Sequence, residues 1–134
     1  MTDGSSPGIV LVSHSAAIAE GLVALTREVA GDGVSIMAAG GGLDGTLGTD
    51  GGLVARAIRQ ADTGAGVVVL ADLGSAVLST KAVLEDGMVD GVEARLVDAP
   101  LVEGAVAAAV MASTGAGLHA VVAAAEEAWN VRKL

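Results

Sequence analysis

Only two of the 134 residues are histidine, and one of them, His14, lies within the stretch GIVLVSHS at residues 8–15. Ile9 to Val12 run apolar without a break, and the chain then turns polar at Ser13, His14 and Ser15. A second stretch, VVVLADLGSA at 67–76, puts a carboxylate, Asp72, just past its own apolar run. A carboxylate on one imidazole nitrogen fixes the tautomer and leaves the other nitrogen free as a nucleophile. A third stretch, GGGLDGTLGTDGG at 40–52, is built of small residues that let backbone N–H groups approach an anion. Thr49 or Asp50 in it is placed to cap a following helix. A nucleophilic His, an orienting Asp and donors for an anion are the parts that phosphoryl transfer through a phosphohistidine requires, because that chemistry rests on positioning and charge stabilisation.

Each part also has a structural use. A histidine at a strand end is often only hydrogen-bonded in place, and Asp72 is placed to cap a helix starting near Ser75. The 40–52 stretch holds no lysine, so it is not a P-loop. No G-x-G-x-x-G follows the first apolar run, which argues against a dinucleotide site there. The second histidine, His119, begins a late helical stretch after a Gly-rich turn, with no carboxylate partner in view.

The elements that must hold these residues alternate along the chain. Short apolar runs at 9–12, 34–38, 67–71 and 94–97 read as strands. Between them lie helical stretches at 16–30, with Ile18, Leu22, Leu25 and Val29 as the apolar stripe, at 51–62 with Leu53, Val54, Ala57, Ile58 and Ala61, and at 75–86 with Val77, Leu78, Val83 and Leu84. Residues 101–129 form one or two further helices, broken near Gly115 and Gly117. Unbroken apolar strands are buried on both faces. The chain is therefore expected to be α/β: a doubly wound, mainly parallel sheet of four or five strands in the order 2-1-3-4, with helices on both faces. Ligands of such sheets sit outside the carboxyl ends of the strands at the switch in strand order. In that order strands one and three are neighbours, so His14 and Asp72 face each other across the switch point. Residues 1–7 read as a flexible lead-in and 8–134 as a single domain.

Composition removes several function classes. Seven Lys and Arg against sixteen Asp and Glu give a net charge of −9, which repels a polyphosphate backbone. Trp129 is the only aromatic residue, so base-stacking platforms are absent as well. With no cysteine, thiolate chemistry and Cys-based metal sites are excluded, and the composition suits a reducing cytoplasm. The most apolar window, GAVAAAVMASTGAGL at 104–118, is too short and too rich in Ala and Gly for a membrane span. The first residues, MTDGSSPG, lack the basic and apolar regions of a signal peptide. The later helices, with Ala105, Ala107, Ala108, Ala109 and Ala112 around Val106, Val110 and Met111, carry more apolar surface than one small domain covers, and point to a dimer contact.

The segments IVLVSHSAAIAEGLVAL, GTLGTD, VVVLADLGSAVLST and DAPLVEGAVAA, in this order and each at a strand end, resemble the phosphotransferase subunit M family of the bacterial dihydroxyacetone kinase. More broadly the chain is similar to the mannose-type IIA domain of the phosphoenolpyruvate-dependent phosphotransferase system, from about Gly8 to Trp129. The DLGSA and APLVEG segments favour the dihydroxyacetone branch. The resemblance implies that His14 is the phosphohistidine, with Asp72 as the acid beside it. It further implies that Gly48, Thr49 and Asp50 form the phosphate-side loop, together with Ser13 and Ser15, and that Gly74 and Ser75 form the turn after strand three. It implies a donor, the phosphocarrier protein phospho-HPr, and an acceptor, ADP held on the kinase L subunit. The chain itself would carry no cofactor and no metal, the nucleotide and Mg belonging to the L subunit. Members of the family are homodimers. Some append HPr-like and enzyme-I-like domains, whereas this sequence stops after the IIA region. The alternative within the same fold is a sugar-specific IIA component that passes phosphate to a IIB protein. A non-catalytic binding domain would share the fold with no phosphorylation.

Overall fold

Four apolar runs and five helical stretches assemble in the computed structural model, which describes residues 6–134. The order is β1 (Gly8–Ser13), α1 (Ala16–Ala30), β2 (Ile36–Gly40), α2 (Gly51–Ala61), β3 (Val67–Ala71), α3 (Gly74–Glu85), β4 (Ala94–Leu96), α4 (Leu101–Ser113) and α5 (Leu118–Glu127), followed by a 3-10 turn at Ala128–Asn130. Among the described residues the sheet has four strands in the order β2-β1-β3-β4, all parallel. The expected order is thus found, with four strands rather than five.

Because successive side chains of a strand point to opposite faces, β1 feeds two cores. Ile9 and Leu11 face one side with Ile36, Val68 and Leu70, covered by α1, α4 and α5. Val10 and Val12 face the other with Val67 and Val69, covered by α2 and α3. Every residue of β1 is buried, as the unbroken apolar run requires. Of the expected lead-in, residues 1–5 lie outside the described residues. Ser6 and Pro7 are buried, and the Ser6 carbonyl accepts a hydrogen bond from Thr63 Oγ1 at 2.7 Å.

Three readings of the sequence need correction. The second strand begins at Ile36, two residues later than the apolar run suggests, because the ladder starts where Ile9 pairs with Ile36; Val34 is buried below it as core filling. In α1 the stripe facing the sheet is Ala19, Leu22, Val23 and Thr26, so of the four residues read as core only Leu22 is buried. Ile18, Leu25 and Val29 are about half exposed. The phase of α1 is set by a close approach at Gly40. A Cβ there would lie 2.6 Å from Ser15 O and 2.8 Å from Ala19 Cβ, so strand and helix touch through their smallest residues. In α4, the alanines read as a dimer surface are mostly internal: Ala105, Ala108, Ala109 and Ala112 are buried in the first core against α1 and α5. No helix of the described residues is long and apolar enough to cross a membrane.

Candidate active site

The register brings the chemistry together. Val12 pairs with Ala71, so the residues just beyond them, Ser13–His14 and Asp72, leave the sheet side by side at its carboxyl end. The Asp72 N–H donates to Val12 O at 3.1 Å, which continues the ladder to the site itself.

Asp72 receives four hydrogen bonds, two on each oxygen. Oδ1 accepts from His14 Nδ1 at 2.9 Å and from the Leu73 N–H at 2.7 Å. Oδ2 accepts from Ser13 Oγ at 2.7 Å and from the His14 N–H at 3.1 Å. Burial pushes the Asp72 carboxyl up, but the Ser13 hydroxyl, the His14 ring, the His14 N–H and the Leu73 N–H together outweigh it and hold the group below its ordinary value. A carboxylate cannot donate, so Nδ1 must carry the proton. The free lone pair of His14 is therefore on Nε2. Asp72 does not cap α3: its bond to Leu73 lies before the helix, whose N-cap, Leu73, offers no side-chain acceptor.

Nε2 is directed at the Ser75 hydroxyl, with which it is in hydrogen-bond contact, in the first turn of α3. The first N–H groups of a helix have no intrahelical partner. Ser15 Oγ takes up one such donor in α1, accepting from the Ile18 N–H at 3.3 Å, and Asp50 Oδ1 does so in α2, accepting from Leu53 at 3.0 Å. The first turn of α3 has no such side-chain partner. An uncapped helix N-terminus beside an unprotonated ring nitrogen favours an anion there.

The remaining sequence-based candidates divide. Gly48, at φ 130°, donates its N–H to His14 O at 2.9 Å, so the 40–52 loop is tied to the backbone of His14. Gly74 opens α3 with open space where a Cβ would stand. The Thr49 hydroxyl pairs with Ser79 Oγ at 2.7 Å, and the Asp50 carboxylate caps α2. The polar groups of Thr49 and Asp50 are thus spent on holding the loop, and Ser13 is buried behind Asp72 rather than facing the opening. His119 is exposed on α5, away from these residues in the fold.

Two features escape a reading of the sequence. Leu43, Leu47, Leu73 and Leu78 are 61–80% exposed, on the loop and helix start that flank His14. Their only trace in the sequence is a set of leucines at irregular spacing among small residues. A cleft of about 460 Å³ opens beside Asp72, between the ends of β3 and β4, with Lys81 and Trp129 on its walls. Trp129 is anchored there, donating Nε1–H to Asp98 O at 3.1 Å. No lysine or arginine occurs before Arg27 or between Arg27 and Arg56, so neither the β1–α1 turn nor the 40–52 loop carries a cation. Among the described residues no group of three or more His, Cys, Asp or Glu is arranged to hold a metal ion.

Comparison with known proteins places the chain in a family. Residues 8–122 match the family described as the PTS system fructose IIA component. A Listeria innocua protein, the phosphoryl donor subunit DhaM of PEP-dependent dihydroxyacetone kinase 2, is 44% identical over 103 residues, covering 76% of this chain and 82% of that one. The phosphotransferase subunit DhaM of the PTS-dependent dihydroxyacetone kinase of Lactococcus lactis is 40% identical over 114 residues, covering 85% of this chain and 89% of the other. Other curated relatives are much longer; the chain spans 25–28% of their length. Among solved structures, the crystal structure of a protein of unknown function, EF1359, superposes with a TM-score of 0.77 at 35% identity, over 91% of this chain and 94% of that one. With its parallel 2-1-3-4 sheet and the His–Asp pair at the strand ends, the chain belongs to the family of the PTS system fructose IIA component.

Proposed function

We propose that the chain is the phosphoryl donor subunit of a phosphoenolpyruvate-dependent dihydroxyacetone kinase, carrying the phosphoryl group on His14 Nε2. The observation that carries this reading is the orientation of one ring. Nδ1 is spent on Asp72, and Nε2 is aimed at the uncapped first turn of α3. The relatives named DhaM support the kinase assignment.

In the loading step the Nε2 lone pair attacks the phosphorus carried by phospho-HPr. The donor's bond to phosphorus breaks as the P–Nε2 bond forms. Positive charge develops on the ring and is stabilised by the Asp72 carboxylate through Nδ1–H. The first-turn N–H groups of α3 and the Ser75 hydroxyl are positioned to donate to the phosphoryl oxygens. In the unloading step an oxygen of the terminal phosphate of ADP, held with Mg on the L subunit, attacks the same phosphorus. The P–Nε2 bond breaks, ATP forms on the partner, and the ring returns to neutral with its Nδ1 proton in place. Neither the β1–α1 turn nor the 40–52 loop supplies a cation, so Lys81, in the cleft beside Asp72, and the partner with its metal are the sources of positive charge for the transferring group. The exposed leucines around His14 suit a protein partner better than a free small molecule. This reading places the chain in the cytoplasm.

The test is transfer from the phosphorylated chain. Mixed with ADP-loaded L subunit it should lose its phosphoryl group and yield ATP; mixed with a mannose-type IIB protein it should keep it. Transfer to the IIB protein with none to the L subunit would favour the sugar-specific alternative.

We also propose that the chain forms a homodimer, as the family resemblance implies. Val102, Val106 and Val110 succeed one another at four-residue spacing along α4. The first two line a groove of about 370 Å³ together with Ala107, Ala124, Ala128 and Val131, with Glu103 and Glu127 also on its walls. Val102 and Val110 are 47% and 42% exposed. A two-fold dimer would use this face on both subunits and leave both strand ends open. Sedimentation equilibrium at micromolar concentration should give a dimer for the wild type and a monomer for Val110→Glu. A wild-type monomer overturns the dimer, and a dimeric variant moves the contact elsewhere.

A further inference from the structure

Ser13 stands apart among the buried polar residues. Ser6, Ser13, Thr26 and Thr80 are the buried polar side chains of the described residues. Thr26 and Thr80 donate to carbonyls one turn back in their own helices, Leu22 O at 2.7 Å and Ala76 O at 2.8 Å. Such bonds are local and belong to helix packing. The Ser13 hydroxyl instead reaches a residue 59 positions away, Asp72 Oδ2 at 2.7 Å, and accepts the Ser15 N–H at 3.0 Å. The direction of its proton is therefore determined. The Ser15 N–H occupies an acceptor site of Oγ, and an ionised carboxylate offers no proton, so the Ser13 O–H points at Oδ2. Of the four donors to Asp72, the Leu73 and His14 N–H groups belong to the backbone and the His14 ring is the nucleophile. Ser13 is the one side-chain donor to the carboxylate besides the His14 ring itself.

We propose that Ser13 is the positioning residue of the phosphoryl-transfer site: it locks the plane of the Asp72 carboxylate so that Oδ1 faces His14 Nδ1 and Nε2 remains the nucleophile. This deepens the phosphohistidine reading and rests on it. A carboxylate with two donors on each oxygen has one rotational setting. Without Ser13 three donors remain, but Oδ2 keeps only the longest of the four bonds, the 3.1 Å bond from the His14 N–H, and the plane of the group is held less firmly about its Cβ–Cγ bond. The His14 ring then has a less firmly oriented partner to fix its tautomer. The same hydroxyl joins the nucleophile's carboxylate to the start of α1, since Ser15 both donates its N–H to Ser13 and caps the helix. The other ionisable groups facing Asp72 are His14 and, across the neighbouring cleft, Lys81 of α3 and Asp98 after β4.

The experiment compares wild type, Ser13→Ala and Ser13→Thr in the intact chain, with phospho-HPr as donor. Ser13→Ala should load about tenfold more slowly. Its ¹⁵N spectrum should show His14 as a mixture of tautomers where wild type shows Nδ1–H alone. Its rate should begin to fall at a higher pH than that of wild type as the solution is acidified, because removing a donor to the charged form makes the carboxyl easier to protonate. Ser13→Thr, which keeps the hydroxyl, should restore the tautomer and most of the rate. A merely structural serine would change the unfolding midpoint and leave the tautomer and the acid limb where they are; that result overturns the proposal, as does a Ser13→Ala protein that loads at the wild-type rate. If the wild type itself takes no phosphate on His14, the phosphohistidine reading fails instead, and the two failures are told apart by the wild-type control.

Discussion

His14→Ala folds as the wild type does and accepts no phosphoryl group. The His14 side chain is 24% exposed and belongs to neither core, so removing it leaves both faces of the sheet packed. Its contacts are with Asp72 and Ser75, both at the rim. Losing one hydrogen bond to a partly exposed carboxylate costs about 1–3 kcal/mol, which a domain of this size tolerates. The chemistry has no such reserve. His14 presents the one ring nitrogen that geometry leaves unprotonated beside an anion site, and His119 is exposed on α5 with no carboxylate partner. Incubation with phosphoenolpyruvate, enzyme I and HPr should give wild type carrying one acid-labile, base-stable phosphoryl group and the variant carrying none. A variant labelled as well as wild type would remove His14 from the account.

Asp72→Asn should slow loading by at least about tenfold; an Asp-to-Asn change behind a catalytic histidine reaches about 10⁴-fold where the tautomer is inverted. The reason lies in donor counting. The wild-type carboxylate accepts from four N–H or O–H groups. An amide of the same shape has one accepting oxygen and an NH₂ that only donates. If the NH₂ meets His14, Nδ1 must become the acceptor, the ring proton moves to Nε2, and the nucleophile is gone. If it meets Ser13 and the His14 N–H, two donors face a third. Rapid-quench loading assays read the effect, and unchanged rates would reduce Asp72 to a structural residue. Stability carries a second signature. The folded-state carboxyl sits below its ordinary value, so its contribution is present above the ordinary carboxylate range and is lost as pH falls below about 4. The Asn variant should lack that part of the acid dependence of the urea midpoint.

Much of this arrangement is legible in the sequence. The apolar runs that end at Val12 and Ala71 mark where the sheet stops, and a period-two strand leaves little freedom to the residues just beyond it, so the pattern alone places His14 and Asp72 side by side. The phase of α1 is not legible. Its stripe of Ile18, Leu22, Leu25 and Val29 has good helical spacing, but the sheet takes the neighbouring stripe because Ala19 can close on Gly40 and a larger residue cannot. Hydropathy rewards size, whereas this contact rewards smallness. The same blindness affects the alanines of α4, whose small side chains let α4 pack within the chain although their pattern reads as surface for a second copy. In the 40–52 loop, Thr49 and Asp50 have the residue types of a phosphate site. Asp50 caps α2 through the Leu53 N–H, as its place before the helix leads one to expect, whereas the Thr49 hydroxyl is committed to Ser79, and a partner 30 residues away leaves no mark in a local pattern. Ser13, which the resemblance puts with the phosphate-side loop, is buried with the rest of β1 and gives its hydroxyl to Asp72 instead.

Nε2 of His14 is the nitrogen expected to carry the phosphoryl group. The geometry commits Nδ1 to Asp72 and leaves Nε2 facing the first turn of α3. ¹⁵N and ³¹P NMR of the chain, labelled at histidine and phosphorylated through HPr, distinguishes the two positions directly. The spectrum should show one phosphohistidine, at His14, with phosphorus bonded to Nε2 and the proton retained on Nδ1. Phosphorus on Nδ1, or on any residue other than His14, would contradict the account.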